Sequence, residues 1–311
     1  MDASIKLAGV QNSMNSNALT LGIVLAGALQ GLAGGAFSGT AGTHLDIMQG
    51  GKPLVRYMYA FDRSSPDAAH KTYKVYHHVM APDGTNTLTK GPGHKFTHHR
   101  GIFIGWNKIS HNNMQSDLWH LKSGEAIKHN KVLKKEADEK QSVLSTQIDW
   151  LMKDGVKCIE EVRTVTVHHT DKDAYLLLDF ETELTAVDGD VVLKGDPEHA
   201  GFQYRPHQDV NAVTYTFHKD GIDPKVVKDL PWVAESNAVG GNKYTVQHMN
   251  HPDNPKGAVY SAYRDYGRFG CFIQTSIKDG ETLTLKYRLR ITTGDTPEAD
   301  VLAAQYGLFM E

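Results

Sequence analysis

The amino-acid sequence predicts an all-β protein, a large antiparallel β-sandwich of the supersandwich or jelly-roll type with few short helices. Three observations predict it. Apolar and polar residues alternate over long segments, turn-forming residues separate these segments, and convincing amphipathic helices are scarce. Many strands with few helices are typical of a sandwich rather than of a parallel α/β fold.

The clearest strand covers residues 281–291, where Leu, Tyr and Ile occupy one face and Thr, Lys and Arg the other. Residues 174–184 repeat this pattern, which is typical of half-exposed antiparallel strands. Residues 72–80 are also strand-like, being rich in Val and Tyr. The best helix candidate is the last segment, where Pro297 suits a helix start and residues 299–306 form two turns.

Composition describes an ordinary globular protein able to bury a substantial core, with 311 residues, 40% hydrophobic and 22% charged. The formal charge is −3 and the basic residues are spread along the chain, which argues against nucleic acid as a partner. The 17 histidines crowd into a few segments. We interpret that crowding as the main chemical signal.

The first 42 residues differ from the rest. Residues 19–29 are apolar and uncharged and are followed by small residues, which is typical of an export signal, the alternative being a disordered or misassigned start. The segment is too short and glycine-rich for a membrane span, so we expect no membrane association after signal removal. Residues 43–311 are then one domain of a periplasmic or secreted protein, of undetermined oligomeric state.

Cys158 and Cys271 are the only cysteines, so the sequence contains neither a disulfide framework nor a cysteine zinc site. A single long-range disulfide would suit an exported protein. Two buried free cysteines are the alternative that we favour.

The most informative segment is the glycine-punctuated loop 91–101, which leads into the apolar run 102–106. Histidine changes protonation near neutral pH and, as the neutral ring, binds metals. A rigid scaffold would present the three imidazoles and the guanidinium of this loop as a group. The candidates are His98, His99 and Arg100 for catalysis and His94 and Trp106 for substrate binding.

A second group lies at residues 198–207. In extended geometry Gln203, Arg205 and His207 share one face, opposite Phe202 and Tyr204. Such a polar row suits the concave wall of a sandwich that donates hydrogen bonds to ligand oxygens, although exposed strands also carry polar rows for solubility. We predict that His207 is catalytic and that Gln203 and Arg205 bind substrate.

The third group is the proline- and asparagine-rich segment 248–255, followed by Arg264 in residues 263–267. Loops of this composition often carry binding residues, and the alternative is a turn whose side chains cap their own backbone. We predict that His248, His251 and Arg264 bind substrate.

Aromatic and acidic residues complete the candidates. Rings such as those of Trp106 and Trp119 can stack on sugar faces, although core packing explains most aromatic residues equally well. Among the carboxylates, Glu161 is the first to test, because it follows Glu160 on a strand where the two must face opposite ways. Solvated surface acids are the ordinary alternative.

A metal site is a separate hypothesis. His98 and His99 are adjacent and would point to opposite faces of a strand, but His94 and His98 can converge across the loop, with His207 or His248 as a third ligand for zinc or copper. The sequence contains no HxH or HExxH spacing, so metal and cofactor remain unknown at this point.

Many of these segments resemble the bacterial PmoA-like family, whose members are often labelled methane oxygenase. The most specific segment is Thr-His-His-Arg-Gly at 97–101. The resemblance covers roughly residues 47–309 and rests on residues 52–59, 72–79, 89–93, 98–106, 117–120, 160–161, 201–205, 248–255, 263–267 and 287–289.

The resemblance implies an exported protein from polysaccharide-degrading bacteria. It does not imply a membrane oxygenase subunit, because the chain lacks several long apolar spans. Residues 279–294 are also similar to the last strands of galactose-mutarotase-like sandwiches, whose concave sheet commonly holds a sugar, although fold does not determine reaction.

We therefore expect an exported carbohydrate-active protein, a hydrolase, lyase or epimerase, with a His/Arg-lined concave pocket. One histidine would be the general acid or base, and Arg100, Gln203 and His248 would surround one hollow. The alternatives are a copper- or zinc-dependent oxidoreductase of the PmoA-like type and a non-catalytic glycan-binding module.

Overall fold

The computed structural model describes residues 35–169 and 171–311, which form three antiparallel sheets and two helices. The first sheet contains β1 (Ala36–Thr40), β2 (His44–Gln49), β3 (Lys52–Met58), β4 (Tyr76–Val79), β5 (Ile102–Trp106), β13 (Ala200–Tyr204), β17 (Val259–Tyr260) and β18 (Phe269–Phe272). The second contains β8 (Ala126–Ala137), β9 (Gln141–Leu151), β10 (Lys157–His168), β11 (Leu176–Ala186), β14 (Thr214–Phe217), β15 (Trp232–Val239), β16 (Asn242–Asn250) and β20 (Thr282–Thr293). The third contains β6 (Lys108–His111), β7 (Met114–Ser116), β12 (Val191–Lys194) and β19 (Thr275–Ile277), and the helices are α1 (Pro66–Thr72) and α2 (Ala299–Met310).

Chain order and sheet order differ, as in a sandwich whose strands cross between layers. The orders are β1-β2-β3-β4-β5-β13-β18-β17, β14-β15-β16-β20-β11-β10-β9-β8 and β19-β12-β6-β7. The predicted all-β class with few short helices is confirmed.

The two eight-stranded sheets pack face to face through aromatic side chains. The ring of Phe202 on β13 lies 4.4 Å from that of Phe180 and 4.6 Å from that of Tyr287, both on the second sheet. Trp106 and Trp150 meet across the same interface at 6.0 Å. Burial of each such side chain contributes about 1.5–3 kcal/mol, so this interface is the core of the protein.

The predicted long strands are confirmed. Residues 281–291 lie on β20 and residues 174–184 on β11, and the two strands pair with Phe180 opposite Tyr287. Helix α2 begins at Ala299, two residues after Pro297, as the sequence indicates.

Helix α1 was not predicted, and the strand expected over residues 72–80 begins only at Tyr76. The Ser65 hydroxyl caps the helix by accepting a hydrogen bond from Ala68 N, and Pro66 occupies the first turn. The helix buries no residue completely, so the sequence contains no apolar period that would reveal it.

The first sheet begins upstream of the predicted domain start at residue 43, because β1 pairs along its whole length with β2. The apolar segment 19–29 lies outside the described residues. Of the helices in the described part, neither has the length and apolar character needed to cross a membrane. Cys158 and Cys271 are both buried and free, as we expected.

Candidate functional site

The candidate site lies on the face of the first sheet that points away from the second sheet. On β5, Trp106 faces the second sheet, whereas Phe103 points outward and packs on Trp119 at 4.8 Å. The loop after β7 lies directly on this outer face. A Cβ at Gly105 would stand 2.5 Å from Leu118 O, so only glycine allows the loop to come this close.

Three partly exposed histidines meet on this face. The ring of His98, from the loop before β5, lies 4.4 Å from that of His120, and the ring of His120 lies 5.2 Å from that of His199. His120 belongs to the loop after β7 and His199 to the turn before β13. We call these three residues the histidine cluster.

Asp117 fixes the position of His120. One of its oxygens accepts hydrogen bonds from the backbone N–H groups of Trp119 and His120, at 3.0 and 2.8 Å. Its other oxygen lies 2.7 Å from His120 Nδ1. The carboxylate therefore shapes the turn and orients the ring at the same time.

Asp196 does the same for His199. Its Oδ1 lies 2.8 Å from His199 Nδ1 and accepts the backbone N–H of Glu198 at 3.1 Å, while its Oδ2 accepts a hydrogen bond from Asn107 Nδ2. The two motifs, Asp117-x-x-His120 and Asp196-x-x-His199, have the same spacing, and in both a carboxylate oxygen lies within 2.8 Å of the histidine Nδ1.

Both aspartates are ionised and accept hydrogen bonds at neutral pH. Burial raises the pKa of Asp117, but the hydrogen bonds from the His120 ring and the backbone outweigh it and leave the pKa below its usual value. Asp196 has a lowered pKa for the same balance of causes, with His199 as the main donor. Because a carboxylate only accepts, each Nδ1 must carry the proton, and a neutral ring then has a free lone pair on Nε2.

His98 and His99 are held neutral beside this pair. Burial, assisted by the positive charge of Lys74, lowers the pKa of His98 to about 2. Burial also lowers the pKa of His99, and the nearby His98 ring adds to the effect. Neither ring nitrogen of His99 has a hydrogen-bond partner within the described residues. Both nitrogens are also buried, so the His99 ring is enclosed by protein.

Two adjoining cavities open at the cluster and meet at Phe96 and Tyr266, whose rings are 5.0 Å apart. The first, which we call the histidine cavity, has a volume of about 210 Å³ and is lined by Phe96, His98, His99, Glu198, His199, Arg264 and Tyr266. The second, the arginine cavity, measures about 520 Å³ and is lined by His94, Lys95, Phe96, Arg205, Gln208, Asp209, Val210, Asn211, Asp265 and Tyr266.

Glu198 lines the histidine cavity and lies close to two arginines, Arg264 and Arg268. Its carboxylate accepts hydrogen bonds from Arg264 and from the hydroxyl of Tyr263, at 3.0 and 3.1 Å, and lies 3.9 Å from Nη2 of the buried Arg268. Burial raises the pKa of Glu198, but Arg264 more than reverses this, so the pKa is below its usual value and the group is an anion.

Five predicted residues line the two cavities and one lies beside them. His98, His99 and Arg264 line the histidine cavity, and His94 and Arg205 line the arginine cavity. Trp119 is fully buried, with its ring 6.0 Å from that of His99.

Arg100, Trp106 and Gln203 do not line these cavities. The guanidinium of Arg100 is fully buried and donates to backbone oxygens of residues 70, 71 and 97. Trp106 donates from Nε1 to Ile273 O in the core. Gln203 lies on the predicted outer face, but its amide is bound by protein groups, among them Arg268 Nη1 at 2.9 Å.

Glu161, His248 and His251 lie in other parts of the molecule. Both oxygens of Glu161 are buried and occupied, by Arg163, Thr182 and Trp150. His248 is fully buried in the core and His251 packs against Phe309 of α2. The expectation that Arg100, Gln203 and His248 surround one hollow is therefore wrong, because each of the three side chains is enclosed by protein groups instead of facing a common cavity.

His207 lines a third hollow of about 750 Å³, which shares Asp209 with the arginine cavity. The metal ligands suggested by the sequence are thus divided, with His94, His98 and His207 in three separate hollows and His248 in the core. Across residues 35–169 and 171–311, no three or more His, Cys, Asp or Glu side chains are arranged to hold a metal ion.

His120, His199 and Tyr266 were not among the predicted site residues, although they lie in the segments 117–120, 198–207 and 263–267 named above. The Asp-x-x-His spacing, which occurs three times in the sequence, was the available signal for the first two. The sequence pattern does not predict that Tyr266 lines the site, because this position depends on the contact between the loop before β18 and the loop before β5.

Comparison with solved structures found β-rich carbohydrate enzymes at low similarity. The chain is similar to a heparan sulfate lyase mutant from Pedobacter heparinus (TM-score 0.41, 8% identity, 82% of this chain and 36% of that one). It is also similar to a kojibiose phosphorylase, described as putative, from the human microbiome (TM-score 0.38, 9% identity, 83% of this chain and 31% of that one). A third similar structure is an aldose 1-epimerase, also described as putative, from Escherichia coli K12 (TM-score 0.34, 11% identity, 84% of this chain and 100% of that one).

The chain spans about a third of the length of the lyase and the phosphorylase, and similarity at this level carries no information on activity. No curated protein matches the chain. The model of a family described as "Family of unknown function (DUF6807)" matches residues 44–306, and the chain therefore belongs to this family.

Proposed function

We propose that this protein is a carbohydrate-active enzyme of the lyase, epimerase or hydrolase type that transfers protons with histidine side chains. The observation that carries the proposal is the contact of His98, His120 and His199, of which His98 and His199 line the histidine cavity, with two of the three rings oriented by aspartates.

The geometry suits general acid and base catalysis. A base needs a free lone pair at a fixed place, and the Asp117 and Asp196 hydrogen bonds leave it on Nε2 of His120 and His199. When such a ring takes up a proton, its aspartate stabilises the resulting imidazolium. Two oriented rings in contact can serve as base and acid in one turnover.

The cavity surroundings favour a sugar as the substrate. Phe96 and Tyr266 form an aromatic wall where the cavities meet, and apolar CH-rich sugar faces pack on aromatic walls of this kind. His98, His199 and Arg264 line the histidine cavity with hydrogen-bonding groups that suit hydroxyl groups, which both donate and accept. A few polar groups around aromatic walls are typical of small-molecule sites.

Among the three reaction types, the carboxylates favour histidine-based lyase or epimerase chemistry. A glycoside hydrolase that uses two carboxyl groups needs one with a raised pKa as the acid. At this site burial raises the pKa of Asp117, Asp196 and Glu198, but hydrogen bonds from His120, His199 and Arg264 reverse the effect and leave each pKa below normal.

The test is turnover on a panel of oligosaccharides, with products followed by mass spectrometry. We expect His199→Ala to reduce turnover about 10²–10⁴-fold, the usual contribution of a positioned acid or base. His251→Ala is the control, since His251 also lies near an aspartate, Asp253, but lines none of the three cavities.

Three outcomes separate the rival functions. Binding of sugars without any product would indicate a glycan-binding module. Stoichiometric copper or zinc in protein purified without an affinity tag, with turnover dependent on it, would indicate the metal-dependent oxidoreductase. Product formed equally well by His199→Ala would remove the histidine cluster from the mechanism.

We also propose export to the periplasm or outside the cell and a relation to the PmoA-like family, both supported by the sequence patterns alone. N-terminal sequencing of the protein from a cell fractionation tests the export, which predicts removal of the apolar segment 19–29 with β1, from Ala36 onward, retained.

A further inference from the structure

The arginine cavity contains a buried cation without an anionic partner. Arg205 is 3% exposed, and its guanidinium lies 4.9 Å from the centre of the Tyr266 ring. Its Nη1 donates to the backbone oxygen of Tyr266, and its Nε has no hydrogen-bond partner among the described residues. Buried arginines are normally paired with a carboxylate, because an unpaired buried charge is costly.

The carboxyl group of Glu235 below the cavity does not provide the missing charge. Gly267 covers Glu235, since a Cβ there would stand 2.7 Å from its Oε1, and Asn237 donates to the same oxygen. Burial raises the pKa of Glu235 to about 8, so the group is mostly uncharged at neutral pH. Asp209 and Asp265 line the cavity but are exposed, and within the described chain neither is in an ion pair with Arg205.

A second buried guanidinium adds to the positive charge. Arg268 is fully buried and uses Nη1 on Gln203 and Ser261, while its Nε and Nη2 have no hydrogen-bond partner in the described part of the chain. The nearest carboxylate, Glu198, is 3.9 Å from Nη2 and already occupied by Arg264. Within the described residues, Arg205 therefore has no ion pair, and Arg268 has only a distant carboxylate that is bound to Arg264.

We infer that the arginine cavity receives the carboxylate of an acidic sugar, so that the substrate class is a uronic acid residue or a glycan that contains one. The inference rests on the proposed function and deepens it. A carboxylate matches the planar guanidinium of Arg205, and such charge-assisted hydrogen bonds are about twice as strong as neutral ones. The shared wall of Phe96 and Tyr266 places this group next to the histidine cluster.

The test uses pairs of sugars that differ only in the carboxyl group. Binding of glucuronate, galacturonate, mannuronate and guluronate is compared with that of glucose, galactose, mannose and gulose by ligand-observed NMR, together with glucose 6-sulfate. We expect at least one uronate to bind about tenfold or more tightly than its neutral hexose, and Arg205→Met to abolish that preference. Arg205→Lys, which keeps the charge but loses the fork, should retain part of it.

Arg63→Met is the control, because Arg63 is exposed, donates to Ala69 O and lines neither the histidine cavity nor the arginine cavity. If Arg205→Met does not fold, the comparison of uronate with hexose on the unaltered protein still decides. Equal binding of both, or preference for the sulfate, overturns the inference. Turnover of neutral glycans that requires His199 would overturn it and leave the proposed function intact, whereas absence of binding to every sugar would count against both.

Discussion

Two groups of histidines in this molecule invite comparison. In the histidine cluster, His120 and His199 are partly exposed and contact each other, and each donates a hydrogen bond from Nδ1 to an aspartate. In the core, His248 is fully buried among aromatic rings, 5.1 Å from Phe202, and shares a hydrogen bond of 3.0 Å with the hydroxyl of Tyr260.

Histidine content and pKa alone do not separate the two groups. Burial lowers the pKa of His248 to about 3 and, with help from Lys74, lowers that of His98 to about 2. Both rings are therefore neutral under physiological conditions. The two groups differ in what surrounds the rings. Carboxylates bind His120 and His199 next to a cavity, whereas His248 is bound by a tyrosine hydroxyl and enclosed by aromatic rings.

The carboxylates divide in the same way. Asp196 orients a histidine at the surface of a cavity, whereas Glu161 is enclosed by Arg163, Thr182 and Trp150 between the sheets. Variants in the core should therefore change stability, and variants at the cluster should change turnover.

The largest effect is expected for Glu161→Ala. Removal of the carboxylate leaves Arg163 buried and unpaired, so the free energy of unfolding should fall by about 3–5 kcal/mol. Denaturant unfolding measures this, with Glu183→Ala, an exposed residue of β11, as the control. Loss of turnover per folded molecule without loss of stability would instead return Glu161 to the catalytic group.

His248→Ala should cost less. The truncation leaves a cavity between Phe202 and Tyr287 and removes one of the two hydrogen bonds of the buried Tyr260 hydroxyl, which still donates to the backbone oxygen of residue 248, for an expected loss of about 2–4 kcal/mol. Thermal unfolding tests the stability, and turnover of the folded fraction should remain unchanged. A stable variant with impaired sugar binding would contradict the assignment of His248 to the core.

The fold was predictable because strand periodicity reflects burial directly. The alternation on β11 and β20 records which side chains meet the opposite sheet. The same alternation on β13 placed Gln203 correctly opposite Phe202. It could not show that loops cover the outer face, so it did not reveal that Gln203 is enclosed while Arg205 reaches a cavity.

The site was predictable only in part, for a reason that one spacing illustrates. Asp-x-x-His occurs at Asp117, at Asp196 and also at Asp67. Asp67 lies on helix α1 and pairs with Lys71, not with His70. Whether the spacing produces an oriented histidine depends on the turn and on neighbours that are distant in sequence, and a single sequence does not contain that information.

Asp117→Asn tests this role of the turn. The Asn oxygen should keep the backbone N–H groups of Trp119 and His120, which turns its NH₂ group toward His120 Nδ1 and moves the ring proton to Nε2. We expect kcat to fall about 100-fold, equivalent to ~2.7 kcal/mol, with little change in stability. Asp67→Asn is the control with the same spacing, and equal kcat in both variants would contradict an orienting role.

A pH dependence of stability is expected from Glu235, a buried carboxyl group covered by Gly267. Burial raises its pKa from 4.5 to about 8 in the folded protein. Between these values the folded state binds a proton that the unfolded state has released, so stability must fall as pH rises from about 4.5 to about 8, by up to about 1.4 kcal/mol per pH unit.

Glu235→Gln cannot ionise and should lack this contribution. Denaturant unfolding at pH 5, 6.5 and 8 should therefore give a steeper decline for the unaltered protein than for the variant. Equal slopes would mean that Glu235 is ionised in the folded state. In that case it would be available as the anion for Arg205, and the arginine cavity would no longer need one from a ligand.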